Sequence, residues 1–259
     1  MAAGSESGTS VAPATLPPIA TVDERYQSYN VEMAEVIGGN FWKPYDKQDT
    51  VAQTTAPAAS PSSGVVPQIG QDAAMFEARP PVDLSNARLR TLATALGPAY
   101  VRVSGTWANS ASFHDSDDPP PATPPQGFLG VLTRGEWTGV VEFSHAVNAK
   151  IVTSFAISQG VRDAVGVWTP DQARRLLAYT KSVGGEIAAA ELFNEPTIAS
   201  AGGAPPGYGA ADFARDFDVF RSFAAAAAPN MLIVGPGSVG EGVALVPASL
   251  PMLKTEDLL

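Results

Sequence analysis

Cysteine is absent from the 259 residues, and histidine occurs only twice, as His114 and His145. A chain without cysteine can form no disulfide framework, no cysteine-ligated zinc site and no thiolate nucleophile. The two histidines are far apart in the sequence, the first in a Pro/Asp-rich stretch and the second in a helical pattern. We therefore expect no metal site, and nothing in the sequence requires a cofactor.

Long apolar runs and basic residues are also scarce. No stretch of about 18 apolar residues occurs, so we expect no membrane span, and the first residues lack the basic and apolar regions of a signal peptide. The 16 Lys and Arg residues against 26 Asp and Glu give a formal charge of −10. Because an acidic surface repels phosphate groups, we expect no nucleic-acid partner. The cellular compartment stays open.

Two stretches rich in Pro, Ala, Ser, Thr and Gly interrupt the chain. We predict a tail over residues 1–20 and a long loop over 46–81. Elsewhere short apolar runs alternate with helical patterns. The predicted strands cover 26–34, 99–105, 150–158, 186–195 and 230–237. The predicted helices cover about 85–96, 133–148 and 169–184, followed by one that carries Phe213, Phe217 and Phe220 on one face and ends at Pro229.

The alternation of strands and helices predicts an α/β fold with a parallel sheet. Helix starts are marked by a capping-box pattern at Thr133 and Glu136 and by Thr169-Pro170. Periodicity does not decide between an open doubly wound sheet and a closed barrel. The glycine fingerprints of nucleotide-binding sheets are absent from the sequence, so the usual signal for that function is missing.

The segment from Glu191 to Pro196, with the sequence ELFNEP, carries the strongest chemical signal. It ends the fourth predicted strand at a proline, which places its polar residues at the carboxyl-terminal rim of the sheet, where barrel enzymes build their active sites. A carboxylate that only faces water in a turn is the alternative. Strand alternation predicts that Glu191, Phe193 and Glu195 share one face.

An inward-facing acid needs a partner, and the second predicted strand offers Arg102. This arginine lies between Val101 and Val103, so its side chain is expected on the face opposite to theirs. We expect Arg102 to face the interior and to pair with Glu191 or with a second catalytic carboxylate. An arginine that extends to water from a strand end is the alternative.

Three segments resemble glycoside hydrolase family 79, the heparanase and β-glucuronidase family. They are Val22–Glu32, Leu89–Asn109 with the ending AYVRVSGTWAN, and Glu191–Pro196. They occur in the family's order, and with the intervening helices the similarity covers roughly residues 17–259. The resemblance implies a (β/α)8 TIM barrel with an attached β-sandwich, and retaining hydrolysis of β-linked glucuronic acid. The resemblance also makes a secreted or periplasmic location plausible.

The resemblance also implies the roles of the site residues. Glu195 would be the general acid/base, with Arg102 and Glu191 in support. Asn109 stands where heparanase has an aspartate, which changes a pocket contact. The residues expected to bind substrate are Asn194, Glu32, Thr106, Trp107 and Asn109.

Retaining hydrolysis needs a second carboxylate as nucleophile, about 5–5.5 Å from the acid/base. The family supplies it from the seventh strand, and no residue of this chain matches it; Glu241 is only a weak substitute. Residues 21–259 would then be the N-terminal half of a barrel, and residues 1–20 a tail that includes a sandwich strand within Ala14–Val22. The expected partners are a glucuronide and the C-terminal half of the same enzyme, without which the chain is expected to be inactive and prone to aggregate.

The acidic balance disfavours a sulfated polyanion as substrate, so an exo-acting β-glucuronidase is expected within the family. Two other functions stay open. Another barrel glycosidase, such as a β-xylosidase or an arabinofuranosidase, shares the Asn-Glu-Pro strand end. A carbohydrate-binding fragment without catalytic activity would explain the missing nucleophile.

Overall fold

A parallel sheet of five strands forms the centre of the fold. The computed structural model describes residues 12, 16–18, 21–43, 75–199 and 202–238. Its strands are β1 (Ser28–Glu32), β2 (Gly39–Trp42), β3 (Phe76–Arg79), β4 (Ala99–Ser104), β5 (Ala111–His114), β6 (Gly130–Thr133), β7 (Ala149–Ser154), β8 (Ile187–Glu191) and β9 (Leu232–Ile233). The central sheet has the order β1-β4-β7-β8-β9, and its neighbours are all parallel.

Helices fill the connections between these strands. They are α1 (Met33–Ile37), α2 (Ala87–Ala95), α3 (Arg134–Ala146), α4 (Asp171–Ser182) and α5 (Ala210–Ala227). The capping box predicted at the start of α3 is confirmed, since the Thr133 hydroxyl accepts from the Glu136 amide and the Glu136 carboxylate accepts from the Thr133 amide. Thr169 does not cap α4, which begins at Asp171; its hydroxyl donates instead to the Val161 carbonyl. None of the described helices could cross a lipid bilayer.

The strand order follows the order of the sequence, with no reversal. A doubly wound sheet reverses its strand order and so carries helices on both faces. Parallel crossovers are right-handed, so crossovers that always step to the same side place their helices on one face. The prediction of an α/β fold with a parallel sheet is confirmed, and the arrangement is compatible with part of a barrel.

The two faces of the sheet differ in polarity. On β4, Val101 and Val103 are 0% and 1% exposed and belong to the main hydrophobic cluster. Arg102 and Ser104 point to the opposite face, where both contact the carboxylate of Glu191 on β8. Alternation along one strand therefore places the apolar side chains beneath the helices and the polar ones on the other face.

An aromatic layer packs α5 against the loop that follows β7. Phe220 contacts both Phe155 and Trp168. Beside it, Arg162 and Asp216 form an ion pair at 2.8 Å with both side chains 0% exposed. The Asp216 carboxylate also accepts from the Tyr208 hydroxyl. Because the pair is buried and hydrogen-bonded, it fixes the loop to the helix.

Most predicted strands are shorter in the structure than in the sequence pattern. The first strand is followed directly by the short helix α1, because Met33, Ala34 and Val36 form the buried side of that helix. The fifth strand has only two residues. The fourth ends at Glu191 instead of Glu195, since the chain turns before the proline. The prediction that Glu191, Phe193 and Glu195 share one face of a strand is therefore wrong, because the strand ends at Glu191.

Two further pairs of strands were not predicted from the sequence. β2 and β3 form an antiparallel ladder, stabilised by stacking of Trp42 on Phe76. β5 and β6 form a parallel pair on either side of a Pro-rich stretch. Runs of four residues carry little periodicity, and flanking prolines such as Pro80 and Pro81 are typical of loops. The sequence pattern therefore did not indicate these strands.

The predicted tail and sandwich strand fall largely outside the described residues. Of residues 1–20, only 12 and 16–18 are described, and none of these belongs to a strand. The predicted substitute nucleophile, Glu241, also lies outside the described residues. Most of the loop predicted over 46–81 lies outside them as well.

Candidate active site

The carboxyl ends of β4 and β8 hold a partly buried polar network around one guanidinium. Arg102 Nη2 donates to Glu191 Oε1 at 2.5 Å and to Asn194 Oδ1 at 2.7 Å. Its Nη1 donates to Asn30 Oδ1 at 3.2 Å. Of the two partners predicted for Arg102, Glu191 forms an ion pair with it. One cation thus connects three neighbouring segments of the sheet rim.

Glu191 is 5% exposed and is held on two sides. Besides the bond from Arg102, it accepts from the Ser104 hydroxyl at 3.3 Å, and Ser104 in turn contacts Ser154 on β7 at 2.6 Å. Burial raises the pKa of the Glu191 carboxyl, and the neighbouring Arg102 opposes that rise. A buried carboxylate that is hydrogen-bonded to Arg102 and Ser104 serves to orient the arginine.

Glu195 lies just past the end of β8, in a left-handed backbone conformation with φ 54° and ψ 59°. Its side chain is half-buried, and Oε2 accepts from the Thr106 hydroxyl at 3.2 Å. Its amide donates to the Gly237 carbonyl at 3.2 Å. The turn is therefore held from two sides, while the carboxyl group keeps access to a ligand.

Glu32 is the last residue of β1. It accepts from Asn30 Nδ2 at 2.5 Å. Burial raises the pKa of Glu32; the Asn30 bond and Arg102 oppose the rise, whereas the charges of Glu35 and Glu195 add to it. Glu32 packs on Gly105, where a Cβ atom would overlap its carboxylate. Glu32, Glu191 and Glu195 are therefore three interacting acids beside one arginine.

The turn after β4 carries the remaining predicted residues. Trp107 is half-buried and packs between Phe41 and Phe76 of the β2–β3 ladder. Thr106 and Trp107 also border a cavity of 310 Å³, which Ile37, Leu129 and several glycines complete. Thr106 therefore belongs to both the cavity wall and the Glu195 contact.

Asn109 is placed differently from the other predicted residues. It is 1% exposed, and its side chain bonds only to backbone: Nδ2 donates to the Asn194 carbonyl and Oδ1 accepts from the Asn194 amide, each at 2.9 Å. Asn109 therefore contacts the network through the backbone of Asn194 and does not lie on the exposed side of Glu195.

The histidines take no part in this network. His114 ends β5 and contacts the Asp118 carbonyl at 3.0 Å, and His145 lies on α3. Among the described residues, no group of three or more acidic or histidine side chains could hold a metal ion.

Models of known protein families give no match to this chain. Curated proteins give no match either. The resemblance to glycoside hydrolase family 79 therefore stays a prediction that rests on the residues quoted above.

Six of the eight predicted site residues interact at one end of the sheet: Arg102, Glu191, Asn194, Glu195, Thr106 and Glu32. Trp107 packs on Phe41 and Phe76 beside them, and Asn109 bonds to the backbone of Asn194. Sequence reasoning missed Asn30, Ser104 as a ligand of Glu191, and Gly237. Asn30 could have been found, because it pairs with Arg102 in the register of β1 and β4. Gly237 could not, since its role depends on how the chain folds back after β9.

Proposed function

We propose that this chain supplies the acid/base carboxylate and part of the sugar-binding rim of a retaining glycoside hydrolase that cleaves β-linked glucuronic acid in exo mode. The observation that carries the proposal is the placement of Glu195. Its half-buried carboxyl group lies at the carboxyl end of a parallel strand, on a turn held by Thr106 and Gly237. Such a position suits a proton donor to a glycosidic oxygen.

The other two carboxylates do not suit the role of nucleophile. Glu191 is 5% exposed and paired with Arg102, so it cannot approach an anomeric carbon. Glu32 lies against Gly105 and accepts from Asn30. In keeping with the resemblance to the family, we place the nucleophile outside residues 1–259, on a further strand of a barrel that the five described strands begin.

In this mechanism Glu195 protonates the leaving oxygen while the nucleophile attacks the anomeric carbon to form a glycosyl-enzyme. The same Glu195 then takes a proton from the water that hydrolyses this intermediate. Asn194 and Thr106 orient the sugar and the acid, and Arg102 with Glu191 fixes Asn194. No cofactor is needed in this reaction.

A neutral pentoside is the second candidate substrate, as for a β-xylosidase or an arabinofuranosidase. Three carboxylates lie near one guanidinium in the described site, and such a surplus of negative charge opposes a uronic acid. Comparing nitrophenyl glucuronide, xyloside and arabinofuranoside with the complete enzyme separates the two candidates. Turnover by residues 1–259 alone would contradict the placement of the nucleophile.

The decisive variant is Glu195→Gln in the complete enzyme. General acid catalysis contributes about 10²–10⁴-fold, and a glycoside with a poor leaving group depends on it most. We expect the rate of glycosidic bond cleavage to fall by that factor for a methyl glycoside and far less for a dinitrophenyl glycoside. Rapid-mixing measurement of the released aglycone separates this step from hydrolysis of the glycosyl-enzyme.

Glu186→Gln is the matched control, because Glu186 is exposed at the amino end of β8. Its kinetics should equal those of the wild type. If Glu195→Gln slowed both leaving groups equally, or neither, Glu195 would not be the acid.

A further inference from the structure

The side-chain amide of Asn109 forms a two-point contact with the backbone of Asn194. The two hydrogen bonds, each 2.9 Å, resemble those of a pair of β-strands. The Asn109 amide donates one bond to the Asn194 carbonyl and accepts the other from the Asn194 amide. Only a group with both functions satisfies this arrangement. Asn109 is also 1% exposed, so water cannot replace a lost bond.

The Asn109 backbone joins two further segments. Its carbonyl accepts from the Ile157 amide at 2.8 Å and from the Ser158 amide at 3.1 Å, both in the loop after β7. On the other side, a Cβ atom at Gly202 would overlap Nδ2 of the amide. The side chain is therefore fixed in orientation between the loops that follow β4, β7 and β8.

The turn that this amide grips is a strained one. Glu195 has φ 54°, a conformation that costs a residue with a side chain about 1–2 kcal/mol. Neighbouring contacts must therefore hold the turn. Asn109 holds it at Asn194, and the Gly237 carbonyl holds it at the Glu195 amide.

We propose that Asn109 is a positioning residue that fixes the turn of Asn194 and Glu195, and that it requires an amide at this position. Its importance for catalysis rests on the proposed role of Glu195. Its hydrogen bonds to the turn do not depend on that role. An ionised carboxylate at position 109 would offer two acceptors, one of which would face the Asn194 carbonyl. A protonated carboxyl group would restore the donor.

The variant Asn109→Asp tests this requirement through its pH dependence. Burial and the facing carbonyl favour the neutral acid, so the pKa of the introduced carboxyl is expected to lie above the ordinary value of about 3.9. A group whose pKa is raised on folding contributes stability below its unfolded pKa, and that stability is lost as the pH rises through the folded value. The variant should resemble the wild type in acid and weaken toward neutral pH.

The measurement is amide hydrogen exchange at Asn194, followed by NMR at several pH values in the protein of 259 residues. Corrected for intrinsic exchange rates, protection of this amide in Asn109→Asp should fall about ten-fold or more between acid and neutral pH, the loss expected for an unmade buried hydrogen bond. Asn109→Ala should lose protection equally at every pH. Urea unfolding across the same range should give the same ranking.

Asn86→Asp is the matched control, because the Asn86 side chain caps α2 by accepting from the Arg88 and Leu89 amides and aspartate caps equally well. It should show no loss toward neutral pH. Unfolding of Asn109→Asp on raising the pH, reversed in acid, also supports the amide requirement. Protection of Asn194 that is independent of pH in Asn109→Asp overturns it. If the complete wild-type enzyme cleaves no glycoside, the proposed function fails while the exchange result still stands.

Discussion

At the scale of single residues, Arg102 governs the geometry of the candidate site. Its three bonds reach β1, β8 and the turn beyond β8. Arginine suits this position, because its planar fork of donors can serve several acceptors at once. The orientation of Asn194 therefore depends on a charge that belongs to a different strand.

We expect Arg102→Met to destabilise the protein by about 3 kcal/mol at neutral pH, because it leaves Glu191 as an uncompensated buried charge. Without the arginine, burial raises the pKa of Glu191 further. A raised pKa in the folded state means that stability is lost as the pH rises through that raised value, so the deficit should be smallest below about pH 4.3, the usual pKa of glutamate, and should grow above it. Urea unfolding between pH 3.5 and 7.5 measures it.

Arg174→Met serves as the comparison for that experiment, since Arg174 pairs with Asp171 on the surface with both side chains more than half exposed. Such a pair contributes about 0–1 kcal/mol. Equal deficits for the two variants, or no dependence on pH for Arg102→Met, would show that Glu191 is not held as described.

Sequence alone could predict the contact between Arg102 and Glu191, because both residues lie on regular strands and have opposite charges. It could not predict that Asn194 joins them. Alternation places Asn194 on the opposite face from Glu191, but β8 ends at Glu191 and the bends over residues 192–194 cancel that rule. Asn109 was assigned to the sugar pocket by resemblance, while its burial against Asn194 depends on a contact across 85 residues.

At the scale of elements, glycines set how closely the strand ends approach the acids. Gly105, at φ 98°, follows β4 and leaves room for the Glu32 carboxylate at the end of β1. Gly237 plays the same part for Glu191. A side chain at either position would occupy the space of a carboxylate.

Gly105→Ala combines backbone strain with a clash against Glu32. We expect a loss of more than the 1–3 kcal/mol that strain alone costs, together with displacement of Glu32. The free energy of unfolding in urea measures the loss. Gly166→Ala is the control, because Gly166 has φ 82° but nothing within 4 Å of an added Cβ atom.

The clash itself can be isolated in a double variant. Adding Glu32→Ala to Gly105→Ala removes the overlapping carboxylate, so it should recover part of the stability. If Gly105→Ala cost no more than Gly166→Ala, the close packing of Glu32 on Gly105 would be disproved.

The elements themselves were predicted unequally well. The helices α2 to α5 were predicted because apolar periodicity extends over about three turns or more, in α3 together with its capping residues. The five-residue α1 was not predicted. The strands were found but their ends were not, since Pro196 and the turn before it shorten β8. The β2–β3 ladder was missed because its second strand lies beside a stretch of low complexity.

At the scale of the whole molecule, the sheet formed by the described residues has two edge strands, β1 and β9. Leu232, Ile233 and Val234 at the β9 edge are 61%, 38% and 39% exposed. Apolar edge strands with unpaired backbone groups promote pairing between molecules. The strand order was not predictable from periodicity, which fits an open and a closed sheet equally.

We expect Ile233→Lys to lower self-association of the protein of 259 residues, because a charged side chain on an edge strand disfavours pairing between molecules. Sedimentation velocity over a range of concentrations measures the change. Val165→Lys is the control, since Val165 is 81% exposed in a loop. The same reduction in both variants would point to net charge rather than to the edge.

The strand order also determines when the turn of Asn194 and Glu195 can complete its contacts during synthesis. A ribosome releases the amino-terminal part of a chain first. A nascent chain that has emerged only as far as Asn230 can pair four of the five strands and bring Arg102 to Glu191. It still lacks Gly237, whose carbonyl accepts from the Glu195 amide. The ion pair can therefore form on the ribosome before Glu195 acquires its final orientation.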